Sequence, residues 1–275
     1  MARWNPERRK KLWIKTLFSG YYIVFIIFIF GPMFAMFVLS FQGRRGSMNF
    51  PMRSYGFYWW NKLIEPSAVG DMQGALLRSL ILALVVMVIT AVLSTMMAMA
   101  FRKRFFGSGL LFYTIMSGIM VPGILISLGL ALVLKVLGIT PAWWFSGLGV
   151  HVIWTLPFGF LIMMAVFNRF DHSLEEAARD MGASEWTVFK EVTLPLILPG
   201  IVAAGLFGFT LSYDEFARTT LVSGEYNTLP LDIYASFTQR IRPNLYALGT
   251  ASTIFSIMLI ALFVIIYTIN YRRTH

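Results

Sequence analysis

The densest run of chemistry-bearing side chains in this sequence is 171–195. It gathers Asp171, His172, Glu175, Glu176, Arg179, Asp180, Glu185, Lys190 and Glu191 and ends on Leu194-Pro195. Charges of both signs at this spacing do not make a catalytic centre, because no nucleophile converges with a base anywhere along the chain. His151, His172 and His275 are scattered without metal-ligand spacing and read as packing or surface residues. The absence of cysteine removes thiolate chemistry and cysteine zinc sites. No phosphate-binding glycine loop followed by Lys and Ser or Thr occurs, so the chain is expected to bind no cofactor and to hydrolyse no ATP itself. A second group, Tyr213, Asp214 and Glu215, sets adjacent carboxylates near the expected external mouth, where they could lower the energy of an entering cation. The same carboxylates could equally cap a helix end or pair with Arg218.

The elements that position the first group are legible locally. Ser173 followed by Glu176 has the spacing of a capping box, which predicts a short helix beginning at Ser173. Leu174, Ala177, Ala178 and Met181 then share an apolar face of mostly small residues. Gly182 suits the left-handed conformation that ends a helix, and Ser184 can cap a second one carrying Trp186, Phe189 and Val192. Leu194-Pro195 is expected to stop that second helix and start the next. The product is a stiff helix-turn-helix elbow.

The elbow is tied at both ends to apolar runs. The chain has 275 residues, 57% of them hydrophobic and 13% charged, with a mean hydropathy of +0.70, which no soluble domain of this size sustains. Six runs are long enough to span a bilayer, at about 17–41, 75–100, 110–134, 146–167, 195–211 and 245–271. Pro32, Pro122 and Pro157 are expected to bend three of them. The net charge of +10 lies mainly in short segments between runs, a pattern of membrane orientation and not of nucleic-acid binding. Lys and Arg before the first run, Arg102, Lys103 and Arg104 after the second, and Arg272 and Arg273 after the last put those segments, and both termini, in the cytoplasm. Arg44, Arg45, Arg53 and Lys62 lie in a long external loop that weighs less in this rule. Tyr55, Phe57, Tyr58, Trp59 and Trp60, with Trp143 and Trp144, read as anchors at the lipid headgroups. The expected organisation is a cytoplasmic tail at 1–16, a six-helix membrane domain at 17–271 with its elbow loop at about 168–194, and a tail at 272–275.

Glu176-Ala177-Ala178, Gly182 and Val192-x-Leu194-Pro195 resemble the EAA motif of the permeases of type I ATP-binding-cassette importers, with valine where isoleucine is usual. The resemblance implies an all-α membrane protein of the bacterial inner membrane with six transmembrane helices and a cytoplasmic coupling helix. Ser173, Glu175, Glu176, Ala177, Ala178, Gly182, Leu194 and Pro195 would then seat in a separate ATPase subunit, with Glu175 or Glu176 meeting a basic group there and ATP-Mg held by that partner. It also implies a second permease subunit, a paralogue, and an extracytoplasmic solute-binding protein. Arg78-Ser79-Leu80, Ser212 to Phe216, Thr228 to Tyr234 and Pro243 to Leu248 look like segments of the polyamine-type subgroup. That subgroup implies a spermidine- or putrescine-like solute; ferric ion, thiamine or an opine-like compound, or an ion-coupled secondary transporter, are the alternatives.

Overall fold

The computed structural model describes residues 6–44, 50–64, 71–239 and 244–274. Arg45, Pro243 and His275, singled out above, lie outside them. Regular structure among the described residues is helical: α1 (Pro6–Leu39), α2 (Tyr58–Ile64), α3 (Met72–Ala100), α4 (Ser108–Met120), α5 (Gly123–Val136), α6 (Leu148–Asn168), α7 (Ser173–Asp180), α8 (Glu185–Val188), α9 (Leu194–Tyr213), α10 (Leu229–Gln239) and α11 (Asn244–Thr274). Helices satisfy their backbone groups internally, as a chain in lipid must.

Among the described residues five helices are long and apolar enough to cross a bilayer: Lys11–Leu39, Met72–Ala100, Trp143–Asn168, Glu185–Tyr213 and Asn244–Ile265. The run expected at 110–134 is not a straight span. It is the pair α4 and α5, bent by 105° at a break. The cause is Pro122: it forces the preceding residue out of the helical region, and Val121 and Pro122 both take ψ 128. Pro32 and Pro157, by contrast, stay inside continuous helices.

The chain forms two compact units, the described parts of Met1–Val69 with Ser236–His275, and of Gly70–Ala235. In the first, α1 packs on α11 and α2 on α11. A Cβ at Gly249 would come within 2.8 Å of the Met36 sulfur, so the absence of a side chain there sets how closely α11 approaches α1. Phe41 lies edge-on to Phe57 and stacks on Trp60, and Tyr58 lies edge-on to Trp59, so four of the expected aromatic anchors are packed on other rings. Most of α1 presents large apolar side chains outward, Leu17, Phe28 and Phe34 among them, a surface that lipid or another apolar chain must cover.

In the second unit α3, α6 and α9 pack around Thr90, which shares a 2.7 Å hydroxyl contact with Thr155. Small residues let the backbones close on it: a Cβ at Gly159 or Gly208 would fall 2.7 or 3.0 Å from Thr90 side-chain carbons. Below this crossing Phe160, Met163, Phe167, Ile197 and Ala204 form the apolar core, with Phe101 and Phe112 tilted against the Phe160 ring.

Candidate functional site

The elbow is present, and its local chemistry differs from the sequence reading in three places. Ser173 is the first helical residue of α7 and not its cap, so no capping box forms; Asp171 does that work, its Oδ1 accepting from the Ser173 amide at 3.0 Å. Gly182 takes φ +86, with its amide donating to Arg179 O and the Ala183 amide to Ala178 O, which closes the helix as a Schellman motif. Ser184 then caps α8, accepting from the Thr187 amide at 3.2 Å. Arg179 and Glu185 face each other across the turn, with Nε–Oε1 2.7 Å and Nη2–Oε2 3.0 Å, an exposed pair that holds the two arms in register at little energetic weight.

The second departure is at Leu194-Pro195, which does not stop α8. The helix runs on from α8 through a π-helical turn, Phe189–Thr193, into α9. Proline lacks the amide donor and crowds the carbonyl four residues earlier; the wide turn before it absorbs both demands without ending the helix. The elbow's second arm is thus continuous with a membrane span.

The third concerns which face turns inward. Of the apolar stripe, Ala178 is buried, while Leu174, Ala177 and Met181 are exposed, Met181 at 83%. The inward face of α7 is led by a charge. Glu175, 5% exposed, meets Arg102 at the end of α3, with Arg102 Nη1 donating to Oε1 at 3.0 Å and Nη2 donating to Oε2. Thr193 donates its hydroxyl to Glu175 Oε1 at 2.6 Å. The Arg102 guanidinium lies over the rings of Phe167 and Phe170 and reaches His172 Nδ1 at 2.6 Å. Arginine only donates, so His172 Nδ1 accepts and its proton is on Nε2. Hydrogen bonding from Arg102, then from Thr193, with the charges of Arg102 and Arg179, outweighs burial and holds the Glu175 carboxyl at about 2. Glu175 is therefore an internal brace in this chain, while Glu176 is solvent-exposed.

The second predicted group is divided. Asp214 caps the end of α9 and is exposed; Tyr213 is buried and stacks on Phe209. Glu215 does not stand beside Asp214 at a mouth. It is buried, accepting from the Arg218 amide at 2.8 Å and from Arg218 Nη1 at 3.0 Å, so the pairing left open above is the one observed. The whole segment after α9 is strapped onto its unit by hydroxyls and one imidazole. His151 bridges Ser212 Oγ at 2.7 Å and Thr219 Oγ1 at 2.8 Å. Thr219 already donates to Glu215 O, so it accepts from His151 Nε2. Ser127 donates to Arg218 O, Ser146 to Val222 O, and Ser79 accepts from the Leu229 amide. Arg78 donates to Asn227 O at 2.8 Å and pairs with Asp71. Arg78 and Ser79, singled out in the sequence, thus hold Asn227 and Leu229, at the edge of a segment singled out separately.

Residues 90–275 match the family model described as "Binding-protein-dependent transport system inner membrane component". The chain belongs to this family. The permease is 30% identical over 250 residues to the spermidine/putrescine transport system permease protein PotC of Haemophilus influenzae, covering 89% of this chain and 93% of that one. It is 28% identical over 235 residues to the putrescine transport system permease protein PotI of Escherichia coli, covering 81% and 80%. Among solved structures it resembles a bacterial ABC transporter involved in import of the acidic polysaccharide alginate, at TM-score 0.66 and 15% identity over 95% of this chain and 98% of that one. The same kind of transporter in complex with an alginate pentasaccharide-bound periplasmic protein matches at TM-score 0.64 and 16% identity, over 99% and 98%. The multi-pass permease fold inferred from the sequence is the fold of this protein.

Sequence reasoning used Arg102 only as an orientation signal, although it is the arm that braces α7. No local signal pairs it with Glu175, 73 residues away, because His172 and Arg179 are the nearer basic groups in sequence.

Proposed function

We propose that this permease is one membrane half of an importer driven by a separate ATPase, and that it carries a polyamine or related organic cation received from an extracytoplasmic binding protein. The observation that carries the first part is the mounting of α7. It is braced from inside through Glu175 to Arg102 and Thr193, while Leu174, Ala177, Met181 and the Trp186 ring face outward, exposed among the described residues. A rigid elbow continuous with a span and presenting an uncovered apolar tip is a lever for a partner. Ser173, Glu176, Ala177 and Gly182 lie on that tip, exposed, and Leu194 and Pro195 on the arm.

In this reading the tip, the end of α3 and both termini face the cytoplasm, ATP-Mg is held by the ATPase subunits, and a paralogous permease completes the translocator. The names of the similar proteins support the cationic solute. Asp214, exposed at the end of α9, is the group of Tyr213, Asp214 and Glu215 best placed to meet an arriving cation.

The test is uptake in proteoliposomes containing the permease with its companion permease, ATPase and binding protein. ATP-dependent accumulation of labelled putrescine or spermidine, with none of ferric ion or thiamine, is expected. Accumulation that continues without the ATPase subunit overturns the coupling, and preference for another solute overturns the substrate class.

A further inference from the structure

The Glu215–Arg218 pair lies beside the middle of the Trp143–Asn168 helix, where its guanidinium is stacked on Trp154 with the central carbon 3.6 Å from the ring centre. The two side chains are 7% and 9% exposed. On another side the guanidinium meets the break between α4 and α5: a Cβ at Gly123 would be 2.7 Å from its central carbon and 2.9 Å from Nη1. A cation therefore fills a slot walled by an indole face, the backbone of a broken helix and a carboxylate. Ionisable groups and broken helices at membrane depth mark pathways, and an indole with a carboxylate is the pairing that selects an organic ammonium.

Arginine does not use this slot as it uses a site built for it. Arg102 spreads its two terminal nitrogens over both oxygens of Glu175. Arg218 gives Glu215 a single guanidinium bond, at 3.0 Å, and its buried Nε has no hydrogen-bond partner among the described residues. One charged bond and one aromatic face are also what an alkylammonium needs, whereas the fork geometry that favours arginine is left unused. The backbone of Arg218 is fixed independently, by Ser127 on its carbonyl and Glu215 on its amide, so the side chain can leave while the segment stays in place.

We propose that Arg218 is a tethered stand-in cation, filling a carboxylate–indole slot that an ammonium group of the transported solute takes over during passage. Departure of the arginine side chain also frees Gly123, so occupancy by solute is linked to movement at the α4–α5 break. A neutral solute cannot displace Arg218 without stranding Glu215. The inference rests on the cationic-solute reading, and its test separates the two.

Thermal midpoints of the permease assembled with its companion permease and ATPase, with the binding protein left out, are measured for the wild type, Arg218→Ala, and Arg218→Ala with Trp154→Leu, each titrated with methylguanidinium and with putrescine. Arg218→Ala is expected to melt lower and to recover by about 5 °C with either cation, while neither the wild type nor the double variant responds. No recovery with any cation overturns the slot. Recovery with methylguanidinium alone overturns exchange with an ammonium. Where Arg218→Ala does not assemble, Arg218→Lys decides: a more easily displaced ammonium should lower KM for putrescine about three-fold, and an unchanged or raised KM overturns the proposal. Failure of the wild type to take up putrescine or spermidine sinks the cationic reading instead, and leaves the methylguanidinium arm readable.

Discussion

Arg102, at the end of α3, holds Glu175 of α7 through both of its terminal nitrogens, across 73 residues of sequence. Thr193, at the root of α9, bonds the same carboxylate. One side chain of the elbow is thereby fixed to two membrane helices, and force applied at the tip has a defined route into both.

Removing either partner should uncouple the transporter before it unfolds it. With side chains 18% and 7% exposed, breaking the pair strands a mostly buried charge, at a cost of about 2 to 4 kcal/mol. Arg102→Ala and Glu175→Gln are each expected to lower uptake at least about ten-fold while ATP hydrolysis by the complex persists. The double variant should lose less than the sum, and a double-mutant cycle on uptake measures the difference.

The same pair carries a pH signature. Glu175 is depressed from 4.5 to about 2 in the folded protein. A lowered carboxyl pKa contributes stability that is complete above the unfolded value and lost as pH falls through the folded one. The stability gap between the wild type and Glu175→Gln should therefore be flat from pH 7 to about 5 and shrink by up to roughly 3 kcal/mol towards pH 2. Midpoints of both proteins across that range check it; a gap independent of pH would show that the carboxylate does not hold the elbow.

What the sequence made legible was local. Span length and hydropathy are properties of single segments, and so are the glycine that ends α7 and the serine that caps α8. What it hid depends on distant packing. Nothing near Glu175 announces Arg102, and nothing near Arg218 announces that its guanidinium lies on Trp154 of α6. Pro122 was visible, but whether a proline bends a helix or breaks it by 105° is decided by what its neighbours do. Pro195 misled in the opposite sense, because a wider turn of helix can absorb the missing donor.

Gly182 isolates backbone geometry from packing. Its φ is +86, and a Cβ there would meet nothing within 4 Å. Gly182→Ala therefore costs strain alone, about 1 to 2 kcal/mol, and Gly182→Asn less, since asparagine tolerates this region. Uptake should rank glycine above asparagine above alanine, with all three proteins inserted at equal levels in the membrane. Equal uptake by all three would mean that the turn angle does not matter to coupling.

The exposed tip offers the reverse separation, a change in binding without a change in fold. Leu174 is 45% exposed and Met181 83%, so a polar residue at either position should alter the stability of the isolated chain by no more than about 0.5 kcal/mol. If these side chains fill a cleft on an ATPase, each is an apolar anchor whose loss weakens association about ten- to a hundred-fold. Leu174→Asp and Met181→Asp should therefore leave membrane insertion and the Arg102–Glu175 brace intact, while the ATPase subunit no longer copurifies at wild-type yield. Lys190→Ala, on the exposed second arm beside Glu191, serves as the control, because an isolated surface pair contributes little. Equal copurification of the ATPase with all of these variants would place the docking surface elsewhere on the permease.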